Sequence, residues 1–251
     1  LEPQTLHGDV SACHGFSDFE PTSISQITMW CLRKFSRLRP KDQEPAELDI
    51  WTPGVMPSAP SRPRHVLHNS YAREQSGGGG TDVRRPIRPD SEEAYDVDPV
   101  LALDDFTVAL PDGFPDHAHR GFVTLTYLLP DSPGDLSHED FLGNVGILKP
   151  GDAQWMTCGR GIVHSEVPST EFFARGLQLW INLPEKEKMS PPRYLELPRA
   201  EQQRLVCDGV RCALLAGEAL NASALDVDSL VAHFVMEPNS TLHQACGSNS
   251  S

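Results

Sequence analysis

Residues 114–135 read FPDHAHRGFVTLTYLLPDSPGD. Phe122–Leu129 is rich in aromatic and β-branched residues, and Pro130-Asp131-Ser132-Pro133-Gly134 closes it as a turn, so the stretch reads as a strand and its exit. On a strand, residues i and i+2 share a face, about 6.5–7 Å apart. His117 and His119 therefore project together. The same spacing returns 45 positions later (164 − 119) in GRGIVHSEVP, residues 159–168, with His164 and Glu166. If the second strand lies beside the first, three imidazoles and one carboxylate converge.

Three neutral imidazoles and a carboxylate suit a first-row divalent metal better than Ca or Mg, which prefer all-oxygen shells. Bonds of about 2.0–2.2 Å are expected, and four ligands on one side leave coordination positions for substrate or oxygen. Each half of the pattern is weak alone. An HxH pair is more often a solvated or satisfied core feature than a metal half-site, and HxE is weaker still. HxH followed by short strands, a Lys149-Pro150-Gly151-Asp152 turn and HxE is much stronger. His138, in LSHEDF, is the rival ligand and reads as a hairpin-edge residue. His7, His14, His65 and His68 lie in the N-terminal stretch of different texture, and nothing pairs with His233 or His243 at ligand spacing. GxSxG and HExxH are absent. Cys158 near His164 suggests a Cys/His nucleophile, but a packed thiol is the plainer reading. Gln154 and Gln178 are candidates for supporting hydrogen bonds, if the strand register turns them inward.

Many short strands with turns every 8–12 residues predict an all-β barrel or sandwich rather than βαβ units. VLALDDF and RGLQLWINLP are further strands, the latter apolar enough to be buried. SGGGGT, residues 76–81, lacks the Gly-Lys-Ser/Thr of a phosphate loop and reads as a flexible turn. Residues 1–70 differ in texture and predict a poorly ordered N-terminal extension. Within it, Ile24–Arg39 has near-helical apolar spacing and four basic residues, as a targeting or partner-binding helix would. Residues 52–64 read as a linker.

The chain has 251 residues, a formal net charge of −14 and six cysteines without a CxxC pair. That charge argues against direct nucleic-acid or membrane-surface binding. The cysteines read as reduced thiols of an intracellular protein. No run of about 20 apolar residues predicts a membrane span. Residue 1 is Leu, so an upstream targeting signal stays open.

Five stretches together resemble the pirin family of the cupin superfamily: REQSGGGGTDVRRPI, FPDHAHRGFVTLTYLLP, HEDFLGNVGILKPGDAQWMTCGRGIVHSEVP, GLQLWINLP and EKMSPPRY. The likeness runs from about Tyr71 to Gly217. It implies a bicupin fold of two jelly-roll barrels. Residues 71–195 would form the metal-bearing N-terminal cupin, and 196–251 a linker and the incomplete start of the second. It implies His117, His119, His164 and Glu166 as ligands of one iron per chain, Fe(II) or Fe(III), with Glu166 also catalytic. Two roles follow from the family. One is quercetin 2,3-dioxygenase activity on a flavonol and O2. The other is a non-enzymatic, iron-dependent transcription cofactor, nuclear and cytoplasmic, that engages NF-κB and its ankyrin-repeat co-activators. Three departures bear on these expectations. Val123 stands where the family pattern HRGFETVTY has glutamate, which would remove an acceptor near the site. The chain stops at Ser251, with most of a second barrel expected to be missing. Residues 1–65 find no counterpart.

Overall fold

The structure is a computed structural model that describes residues 50–58, 72–87, 99–224 and 230–244. The amphipathic stretch Ile24–Arg39 lies outside the described residues. Among them the regular structure is strand, apart from single 3-10 turns at Glu185–Glu187 and Arg199–Glu201. No helix there is long and apolar enough to cross a membrane.

In chain order the strands are β1 (Thr52–Pro53), β2 (Glu74–Gly78), β3 (Thr81–Ile87), β4 (Val100–Val108), β5 (Phe114–His119), β6 (Phe122–Leu128), β7 (Leu136–Asp140) and β8 (Val145–Leu148). They continue as β9 (Ala153–Thr157), β10 (Ile162–Pro168), β11 (Ala174–Asn182), β12 (Arg193–Leu197), β13 (Gln203–Cys207), β14 (Val210–Ala219), β15 (Ala222–Ala224) and β16 (Val231–Met236). The chain divides into two compact units, residues 71–199 and residues 1–70 with 200–251.

Residues 71–199 form a jelly-roll sandwich. One sheet has seven strands in the order β12-β9-β6-β11-β4-β3-β2, and the other has four in the order β5-β10-β7-β8. All pairings in both are antiparallel. Turn chemistry sets the connections. Ser132 N–H donates to Leu129 O at 2.9 Å in the PDSPG turn, and Asp152 N–H donates to Lys149 O at 2.8 Å in the PGD turn. SGGGGT spans the β2–β3 hairpin, whose turn residues Gly79 and Gly80 have φ of 57° and 81°, which glycine adopts without a Cβ clash.

The two sheets meet over an apolar cluster of Val83, Phe106, Val108, Leu128, Leu136, Leu148 and Ala174, with Phe114 at its margin. Burying side chains of this size contributes about 1.5–3 kcal/mol each. On β6 the two-residue period sends Phe122, Thr124, Thr126 and Leu128 inward. Val123 falls on the opposite face, where it pairs with Ile181 and Thr157 and is buried. The expectation that Val123 removes an acceptor near the site is therefore corrected: a side chain at 123 points away from it.

The other unit holds a five-stranded sheet, with β14 between β13 and β16, β15 beyond β14, and β1 added parallel to β13. Its core contains Leu205, Val210, Leu214, Leu220, Ala232, Phe234 and Leu242. Strand β1 comes from the stretch read as a linker. Gly54 N–H and Val55 N–H donate to Val206 O and Leu220 O at 2.9 and 3.0 Å.

Candidate metal centre

The fold sets the two half-motifs side by side. β5 and β10 are hydrogen-bonded neighbours with His164 opposite His117, and a bulge between His164 and Glu166 brings Glu166 opposite Phe114. Ligand atoms of His117, His119 and His164 all lie within 4.8 Å of one another. His119 and His164 are buried and His117 is partly open. The three rings pack at centroid distances of 4.6, 4.5 and 5.0 Å.

Three details fit these residues to a metal ion. His117 Nδ1 is 2.8 Å from Pro115 O, and a carbonyl only accepts, so the neutral ring carries its proton on Nδ1 and turns the Nε2 lone pair to the cluster. Nε2 of His117 and Nε2 of His164 are 3.1 Å apart. Two ligand nitrogens at right angles on one ion, each bonded at about 2.1 Å, would stand about 3.0 Å apart. His119 Nε2 is buried without a hydrogen-bond partner, an arrangement that costs about 1–3 kcal/mol unless something occupies it. Burial, and then the neighbouring His117 and His164, pushes the His119 pKa down to about 3. Burial also lowers that of His164, against the raising influence of Glu166. The pair is therefore neutral at ordinary pH, the protonation state that binds metal.

Glu166 is fully buried, and its carboxylate is not among the atoms that gather within 4.8 Å. It is held by two donors from the opposite sheet, Thr126 Oγ1 at 2.9 Å to Oε1 and Gln178 Nε2 at 2.8 Å to Oε2. Trp180 Nε1 in turn donates to Gln178 Oε1 at 2.9 Å. Gln178 thus takes the supporting role open to it from the sequence. Thr126 and Trp180 were not singled out there. Their inward alternation on β6 and β11 was the available signal. Phe122 and Trp180 stack at 5.0 Å and 24°, and each ring lies 5.2 Å from His119.

His138 corrects a second expectation. It is not an edge residue: β7 runs between β10 and β8, and the ring is buried. It is not part of the histidine cluster either. Gln154 lies 2.7 Å from His138 Nε2 and donates to Glu196 at 3.0 Å, away from Glu166. Cys158 is buried, and burial pushes its thiol up to about 12, so it is no nucleophile.

Comparison with known proteins agrees with this architecture. The pirin family model matches residues 88–181. A pirin-like protein of Solanum lycopersicum is 46% identical over 193 residues, covering 75% of this chain and 64% of its own. Pirin of Mus musculus is 53% identical over 158 residues, covering 62% and 53%. The chain thus spans about half to two thirds of the length of these curated relatives. The crystal structure of a quercetin 2,3-dioxygenase from Acinetobacter baumannii superposes with a TM-score of 0.55 at 29% identity, over 62% of this chain and 57% of that one. With its sandwich, its clustered histidines and these relatives, residues 88–181 of the chain carry a domain of the pirin family, in the cupin superfamily.

Proposed function

We propose that this chain is an iron-dependent dioxygenase of the quercetin 2,3-dioxygenase type, with one Fe(II) held by His117, His119, His164 and Glu166. The observation that carries this reading is the meeting of three imidazoles within 4.8 Å inside the sandwich. When bound, iron supplies the Lewis acidity and one-electron chemistry that join a flavonol to O2. The same donors accept other first-row divalent ions. His119 and His164, whose pKa values burial lowers, offer lone pairs without first losing a proton. Glu166, two residues beyond His164, completes the shell or takes the proton of the flavonol 3-hydroxyl, and Thr126 and Gln178 keep its oxygens oriented. The flat faces of Phe122 and Trp180 beside His119 suit a planar aromatic substrate.

Metal analysis and quercetin turnover test this. Wild type reconstituted anaerobically holds about one iron per chain, and on admission of air it removes the quercetin absorbance over many turnovers. His119→Ala loses most of the metal. Equal metal in the two proteins refutes the ligand set. Iron without quercetin loss refutes the dioxygenase.

A second reading is the metal-dependent transcription cofactor, nuclear and cytoplasmic, whose partners are NF-κB and its ankyrin-repeat co-activators rather than nucleic acid. It draws support from the outer face of the four-stranded sheet. Val145 is 72% exposed, Ile147 54%, Val163 39% and Val167 38%, with Phe141 and Leu142 beside them. Ser137 and Glu139 on β7 stand between these two apolar pairs, so the face offers a mixed apolar and polar surface for protein contact. Partner affinity that changes with iron oxidation, in a protein that leaves quercetin intact, would favour this role.

A further inference from the structure

A second polar feature lies in the same interior, and neither reading uses it. His138 pairs directly across β7 and β10 from Glu166, so the two side chains stand on one face of the sheet. Its ring is 97% buried (3% exposed), yet its Nδ1 has no hydrogen-bond partner. The other nitrogen is well tied. His138 Nε2 is 2.7 Å from Gln154 Nε2 and 3.2 Å from Glu196 Oε1. Tyr194 stacks on the ring at 5.8 Å and 21°. Opposite His138 on β8 stands Gly146, where a Cβ would run into His138 Nε2. The ring is thus placed from three neighbouring strands, and space is kept for it.

A core histidine retained for packing satisfies both nitrogens, because an unmet buried one costs about 1–3 kcal/mol. Here one nitrogen is anchored and the other left open. Either tautomer gives the same result. If Gln154 donates to Nε2, the open Nδ1 carries the proton. If Nε2 donates to the Glu196 carboxylate, the open Nδ1 carries a lone pair. A hydroxyl satisfies both cases, since it donates and accepts. The Glu196 carboxylate that meets Nε2 stands on β12, the outermost strand of its sheet, and is 47% exposed.

We propose that His138 is a substrate-anchoring residue whose Nδ1 receives a ring hydroxyl of a polyhydroxylated aromatic. The site then selects substrates with a second polar edge, away from the oxygens that meet the histidine cluster. This deepens the dioxygenase reading and rests on it for the substrate class.

The test uses the full chain, metal-loaded and anaerobic, titrated with quercetin and with 3-hydroxyflavone, which lacks the distal hydroxyls. Two variants separate anchoring from structure. His138→Asn keeps a polar atom at the Nδ1 position, and His138→Gln keeps one at the Nε2 position. Loss of one hydrogen bond predicts about tenfold weaker quercetin binding in His138→Gln. His138→Asn stays near wild type, and 3-hydroxyflavone binds all three proteins alike. The reverse pattern, with His138→Gln like wild type and His138→Asn weakened, makes His138 a structural residue and overturns the proposal. Equal quercetin binding by all three proteins also overturns it but leaves the dioxygenase standing. A wild type that holds metal and binds neither flavonol overturns both. Melting temperatures of the variants show whether a loss comes from unfolding instead, and a His138→Gln loss that tracks a lowered melt counts as structural.

Discussion

The two ends of the sandwich interior are built from the same strands to opposite purposes. Leu128 on β6, Leu136 on β7 and Leu148 on β8 close one end as an ordinary apolar core. Further along the same β6 and β7, and on β10, the inward positions are Thr126, His138, His164 and Glu166. β10 inverts the usual pattern, with His164 and Glu166 inside and Val163 and Val167 facing out. An interior that bears unmet nitrogens on His119, His138 and His164 is not arranged for stability. The apolar end holds the fold, and the polar end lowers that stability by burying unmet nitrogens.

Breaking the apolar end gives the largest effect. Leu128→Ala leaves a cavity in a fully buried site and lowers unfolding stability by about 2–5 kcal/mol in denaturant melts, with metal affinity changed far less. The polar end responds in the opposite direction. In metal-free protein His119→Leu removes an unsatisfied buried nitrogen and raises stability by about 1–2 kcal/mol. A metal-free variant less stable than metal-free wild type would erase the contrast between the ends.

The smallest effect sharpens the comparison through pH. The folded pKa of His119 is about 3, below its ordinary 6.5. Between those values the unfolded chain binds the extra proton, so acid favours unfolding. Metal-free protein therefore loses about 1 kcal/mol of stability between pH 7 and 5.5 from this residue. The slope is shallower in His119→Leu.

The strand period and the turn residues made the all-β architecture legible, because both act within a few residues. HxH and HxE were legible for the same reason: alternation places i and i+2 on one face wherever the strand goes. The role of His138 was not. Beside Glu139 and Asp140 it resembled a solvated edge position, and only the sheet order β10-β7-β8 puts it in the interior. Val123 misled in a different way. A departure from the family pattern near the histidines suggested chemistry, whereas pairing with Ile181 and Thr157 sends it to the other face. β1 was missed because its pairing partner lies some 150 residues away.

By itself the sequence determined which side chains share a strand face and which short stretches become strands, since those are local matters of backbone period and turn chemistry. Tertiary structure alone decided that β5 and β10 lie side by side, that Thr126 and Gln178 reach Glu166 from the opposite sheet, and that His138 keeps an open nitrogen. Those facts depend on register between strands distant in sequence, and a shift of one residue would turn every one of those side chains to the opposite face.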